Sequence, residues 1–136
     1  TVPAYLRILV VDDVAANRQI AQAILEAAGH SVTTVEDGPG ALLALTRKTF
    51  DVVLMDLQMP QMDGFEATRR IRALPPPSNA VPIVALTAAA LPEQVEAVHQ
   101  AGMDAYLSKP IERTALLELL QRMPTVHLEP APMPPR

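Results

Sequence analysis

The chain has 136 residues, enough for one domain and too few for two full cores, and 49% of them are hydrophobic, so a packed interior is within reach. Aromatics make up only 3% and tryptophan is absent, which argues against a stacking platform for single-stranded nucleic acid. Eleven basic residues against fifteen acidic ones give a formal charge of -4, which disfavours a polyanion-binding surface, and the lack of cysteine excludes a disulfide framework, a thiolate nucleophile and Cys-ligated zinc.

In chain order, Arg7 to Val11 is a short apolar run rich in β-branched residues that stops at Asp12-Asp13, as a strand buried on both faces does. From Val14 to Ala28 the residues Ile20, Ala21, Ile24, Leu25 and Ala28 recur at helical spacing, with Gly29 as the cap. Ser31 to Val35 reads as strand, Ala41 to Lys48 as helix after an Asp37-Gly38-Pro39 turn, and Val52 to Met55 as a third strand ended by Asp56. A loop holding Pro60 and Gly64 leads to a helix from about Phe65 to Ala73, which Pro75-Pro76-Pro77 brings to a stop. Val81 to Leu86 is a fourth strand with Thr87 at its end, and Pro92 to Ala101 a helix closed by Gly102. Asp104 to Leu107 is a short fifth strand, and Ile111 to Arg122 a last helix with Leu116, Leu117 and Leu120 inward. Strict alternation of strands and helices implies right-handed crossovers and a parallel sheet covered on both faces, an α/β fold. From Pro124 the proline density favours an extended tail or linker. No apolar run is long enough to span a bilayer and no signal-peptide pattern opens the chain, so neither membrane insertion nor a location outside the cytoplasm is expected.

Ligands of an open parallel sheet bind beyond the carboxyl ends of its strands. Asp12 and Asp13, Asp56, Thr87 and Lys109 all fall at such ends. Singly, each has an ordinary explanation: helix cap, turn residue or solvated charge. Three carboxylates brought into one pocket repel each other, and a hard divalent cation such as Mg2+ resolves the conflict. A lysine and a hydroxyl opposite then complete a cradle for a dianionic phosphoryl group, with one carboxylate left as nucleophile.

The text Ile8-Leu-Val-Val-Asp-Asp13, Asp56-Leu-Gln-Met-Pro-Gln-Met-Asp-Gly64, Ala85-Leu-Thr87-Ala88 and Tyr106-Leu-Ser-Lys-Pro110 resembles the receiver domains of two-component response regulators, in the style of those in hybrid sensor histidine kinases. The resemblance spans about Arg7 to Met123, leaving residues 1–6 as a lead-in and 124–136 as the tail. It implies a doubly wound, flavodoxin-like three-layer sandwich of five parallel strands in the order 2-1-3-4-5 with five helices. It implies further that Asp56 is the phosphoacceptor. Asp12, Asp13 and Asp56, with the backbone carbonyl of Gln58, would hold Mg2+. Lys109 would pair with a phosphoryl oxygen, Thr87 would follow the phosphoryl group, and Tyr106 would be the aromatic switch. The Lys109-Pro110 peptide is expected to be cis.

The implied function is phosphorelay signalling: a histidine kinase or histidine phosphotransfer protein donates the phosphoryl group, and no nucleic acid is bound directly. The implied catalysis is of the domain's own phosphorylation and dephosphorylation. The alternative is a pseudo-receiver that never takes phosphate, whose mark would be a missing Asp or Lys, and none is missing. An aspartyl phosphatase would carry a general acid where Gln58 stands. Val14, Ala15 and Ala16, with Pro110 and Ile111 on the opposite rim, form the expected docking surface for the donor, since small apolar residues replace the charge that a solvated helix start prefers. Asp63 reads as a helix-start residue, Met55, Met59 and Met62 as packing, and His30, His99 and His127 as surface residues without metal-ligand spacing.

Overall fold

The computed structural model describes residues 6–88 and 91–122. Its strands are β1 (Arg7–Val11), β2 (Ser31–Val35), β3 (Val52–Asp56), β4 (Ile83–Thr87) and β5 (Ala105–Ser108). They alternate with α1 (Ala15–Ala27), α2 (Gly38–Arg47), α3 (Gly64–Arg72), α4 (Pro92–Gln100) and α5 (Arg113–Arg122). All pairings are parallel and the strand order is β2-β1-β3-β4-β5, the expected doubly wound arrangement.

The period-2 alternation of a strand sorts the central three strands into two cores. Leu9, Val11, Val53, Met55, Ile83 and Ala85 join Ala41 and Leu45 of α2, Ala67 and Ile71 of α3 and Val98 of α4 on one face. Ile8, Val10, Val52, Leu54, Val84 and Leu86 join Ala21 and Leu25 of α1 and Leu116 and Leu120 of α5 on the other. Each Leu or Ile fully buried in these layers contributes roughly 1.5–3 kcal/mol, which is why β1, β3 and β4 read as continuous apolar runs. Leu6, expected in the lead-in, is buried in the second core.

The element ends differ from expectation for local reasons. α2 starts at Gly38 rather than Ala41, because Asp37 Oδ1 accepts the Gly40 amide at 2.7 Å and Pro39 occupies the first turn. β3, β4 and β5 each run one residue further than expected, so that Asp56, Thr87 and Ser108 close their ladders. β4 starts at Ile83 instead of Val81, and α5 at Arg113 instead of Ile111. A short 3-10 helix (Ser78–Ala80) after the three prolines has no counterpart in the sequence reading. Gly29 takes φ +98° beyond α1, as its capping place requires.

Two side chains are placed differently from the sequence reading. Ile20, grouped by its helical spacing with Ala21 and Leu25, is 49% exposed, whereas those two are buried. His30, expected at the surface, is half-buried with Nδ1 accepting the Leu6 amide at 3.2 Å, and burial lowers its pKa. His99 is exposed, as expected. His127, Met123 and the proline-rich tail lie outside the described residues. Among the described residues no helix is long and apolar enough to cross a membrane.

Candidate functional site

Because β1 and β3 are neighbours with Val11 opposite Met55, the residues that follow in each strand, Asp12 and Asp56, emerge side by side at the carboxyl end of the sheet. β4 brings Thr87 next to them, since Asp56 pairs with Leu86, and β5 ends with Ser108 opposite Thr87, delivering Lys109 to the same rim. The Lys109 amide donates to the Thr87 carbonyl at 2.8 Å, and the Lys109-Pro110 peptide is cis as expected.

Asp12 and Asp56 are almost fully buried, and Asp13 is exposed. One carboxylate oxygen from each of the three lies within 4.8 Å of the others. Lys109 Nζ stands 2.9 Å from Asp56 Oδ1 and 3.4 Å from Asp12 Oδ2, so a single cation is shared by two buried anions. Asp56 Oδ1 also accepts the Gln58 amide at 3.1 Å. Asp56 Oδ2, buried, has no hydrogen-bond partner among the described residues. A buried carboxylate oxygen without a hydrogen bond, on a side chain grouped with two further carboxylates, is costly unless a ligand engages it. Oxygen donors only, two of them buried and one exposed to admit water, fit a hard cation of the Mg2+ type.

The charges act on one another. Burial raises the Asp56 pKa, opposed by the hydrogen bonds from Lys109 and Gln58 and reinforced by the Asp12 charge, so the carboxyl sits above its ordinary value. For Lys109, burial pulls down, but the hydrogen bond to Asp56 and the charges of Asp12 and Asp56 outweigh it, and its pKa is raised. The ammonium is thereby kept charged.

The remaining expected residues fall around this centre. Thr87 is 4% exposed at the end of β4, and Tyr106 is 38% exposed on β5, opposite Ala85. Val14, Ala15 and Ala16 are exposed beside the acidic pair, Pro110 is exposed, and Ile111 is half-buried against the second core. Asp63 caps α3, accepting the Glu66 amide at 2.9 Å, and Met55 and Met59 are buried in the first core with Met62 packed against it. The sequence reading missed Asn17 and Arg18. Asn17 Nδ2 lies 3.4 and 3.3 Å from the two oxygens of Asp12, and Arg18 Nη1 donates to the Asp12 carbonyl at 2.7 Å. Their polarity in the first turn of α1, directly after the acidic pair, was the available signal.

Residues 8–121 match the family model described as Response regulator receiver domain. The chain is 44% identical over 129 residues to the sensor protein GacS of Pseudomonas syringae pv. syringae, covering 93% of this chain and 14% of that protein. It is 41% identical over 115 residues to the sensor histidine kinase RcsC of Salmonella typhi, covering 85% of this chain and 12% of that one. The chain thus spans only a small part of the length of these relatives. Among solved structures, the chemotaxis protein CheY4 of Vibrio cholerae superposes with a TM-score of 0.82 at 35% identity, covering 88% of this chain and 98% of that one. The receiver domain of the sensor histidine kinase PA1611 of Pseudomonas aeruginosa PAO1, with a magnesium ion coordinated in its active-site cleft, superposes with a TM-score of 0.79 at 44% identity, covering 88% and 97%.

Proposed function

Because the chain belongs to the response regulator receiver domain family, and so serves two-component phosphorelay signalling, we propose that Asp56 is the residue that takes the phosphoryl group. The observation that carries this is the state of its carboxylate, which converges with those of Asp12 and Asp13: Oδ1 is held by Lys109 and the Gln58 amide, while Oδ2 is buried and has no hydrogen-bond partner among the described residues. A carboxylate oxygen of Asp56 attacks the phosphorus of a phosphohistidine presented by a histidine kinase or phosphotransfer protein. The P–N bond breaks as the O–P bond of an acyl phosphate forms, and the imidazole departs. Lys109 turns from Asp56 to an equatorial phosphoryl oxygen, and the Thr87 hydroxyl approaches another, with Tyr106 as the residue that responds on the β5 edge. Asp12, Asp13, Asp56 and the Gln58 carbonyl would hold Mg2+, which when bound supplies positive charge against the incoming dianion. We place the domain at residues 7–123.

The pseudo-receiver alternative is not favoured, because the three carboxylates and the lysine are all present and converge. Incubation with acetyl phosphate and Mg2+, followed by intact-mass spectrometry, should add one base-labile phosphoryl group to the wild type and none to Asp56→Asn. An unlabelled wild type, or full labelling of Asp56→Asn, would overturn the assignment.

A further inference from the structure

Asp12 is a buried carboxylate whose orientation is set by three donors from different parts of the chain. Oδ1 accepts the Val14 amide at 2.9 Å, Oδ2 faces Lys109 Nζ at 3.4 Å, and the Asn17 amide nitrogen reaches both oxygens, at 3.4 and 3.3 Å. Arg18, the next residue on α1, holds the backbone of the same aspartate through its carbonyl at 2.7 Å. The first turn and a half of α1 therefore grips Asp12 twice, once by side chain and once by main chain. Lys109 is the donor with competing duties. It is closer to Asp56 than to Asp12, and on the reading above it must serve a phosphoryl oxygen as well. Once it does, Oδ2 of Asp12 retains only Asn17 among these donors.

We propose that Asn17 is a positioning residue for the metal site, its amide holding the Asp12 carboxylate in the rotamer that faces Asp13 and Asp56 when Lys109 is drawn away. A neutral donor suits this place. It orients the carboxylate without cancelling the negative charge that a cation needs, whereas a second lysine would compete with the cation. Groups that orient a metal-binding carboxylate typically contribute about 10–100-fold to metal affinity, and the long contacts here place Asn17 at the lower end, about tenfold.

The inference rests on the proposed metal site, and its test separates the two. Wild type, Asn17→Ala, Asn17→Leu, Asn17→Gln and Asp13→Ala are titrated with MgCl2 alone, following backbone amide shifts by NMR, and their melting temperatures are recorded without metal. Asn17→Ala and Asn17→Leu should raise the Mg2+ dissociation constant about tenfold at nearly unchanged melting temperature, and Asn17→Gln, which keeps the amide donor, should recover part of the loss. In acetyl-phosphate labelling the loss should be overcome by excess Mg2+, a change in the apparent constant for Mg2+ rather than in the maximal rate. An affinity within twofold of wild type for both Asn17→Ala and Asn17→Leu overturns the inference while leaving the metal site intact. So does a loss that tracks the melting temperature and that Asn17→Gln fails to recover. A wild type that shows no saturable Mg2+ shifts, or an Asp13→Ala titration identical to wild type, overturns the metal site itself.

Discussion

Gly64 lies against the backbone of Asp56: a Cβ built there would collide with the Asp56 carbonyl oxygen and stand 2.9 Å from Leu57 Cα. The first residue of α3 is thus wedged behind the strand end that carries the candidate phosphoacceptor, with its amide donating to the Leu57 carbonyl at 3.1 Å. Both neighbours are backbone, so neither can swing aside. Gly64→Ala should push the end of β3 or the start of α3 out of place and cost about 1–3 kcal/mol in urea unfolding. It should also slow acetyl-phosphate labelling of Asp56. Wild-type stability and labelling together would show that the contact relaxes freely.

Arg72 makes the densest set of contacts remote from the site. Its guanidinium donates to the carbonyls of Asn79 at 3.0 Å, Val81 at 2.6 Å and Gly102 at 2.6 and 2.9 Å, and to Asp104 Oδ2 at 3.1 Å. It ties α3 to the segment before β4 and the turn before β5. Arg72→Met keeps the aliphatic stem but strands these acceptors, and is expected to lower stability by about 3 kcal/mol. Arg72→Lys should recover little of it, because a point charge cannot reproduce the planar fork. Chemical denaturation of both variants checks this.

His30 introduces a pH dependence at the opposite end of the sheet. Its Nδ1 accepts the Leu6 amide, and burial lowers its pKa from 6.5. The unfolded chain therefore binds a proton near pH 6.5 that the folded chain declines until lower pH, so the unfolded state holds more protons in that window. His30 contributes fully above this window, and its contribution is lost as pH falls through it. The urea midpoint of His30→Asn should change less between pH 7.5 and about 5 than that of wild type. Parallel profiles would remove His30 as the cause.

The start of α1 offers a test of how the donor docks. Val14 is 47% and Ile20 49% exposed, with Ala15 and Ala16 exposed between them. Exposed apolar residues beside an acidic pocket suit a helix with its own apolar stripe. Ala15→Glu or Ala16→Glu should reduce transfer from a phosphohistidine protein at least tenfold while acetyl phosphate still labels Asp56, since about 1.4 kcal/mol of lost docking energy is already tenfold. Equal loss with both donors would locate the damage in the site or fold, and unchanged transfer would remove this face from the interface.

The sheet was legible because β3 and β4 are buried throughout, as β1 is after Arg7, and from there each strand is apolar up to its carboxyl end. Asp12, Asp56 and Thr87 could be read for the same reason, each being the first residue at which an apolar run breaks off, and Lys109 because it follows the end of β5 at Ser108. Asn17 and Arg18 could not. Their contacts reach back to Asp12 across the bend where the chain leaves β1 and winds into α1, and helical spacing says nothing about such a corner. Ile20 misled because apolar spacing marks a stripe without saying whether the fold or a partner covers it. Arg72 and His30 were invisible as structural residues because their partners, mostly main-chain groups, lie on other segments of the chain.

The four polar groups of the site are not equally anchored. Asp12 follows β1 and Asp56 ends β3, strands paired on both sides, whereas Tyr106 lies on β5 and Lys109 directly follows it, and β5 has a neighbour on one side only and side chains that alternate between half-buried and exposed. Stiffness thus falls across the pocket from one wall to the other. On the proposed reading, a charge added at Asp56 would meet doubly paired strands on one side and the singly paired β5 on the other, so the expected adjustment is on the β5 side. That would make the singly paired border of the sheet the place where a partner reads what has happened at its doubly paired middle.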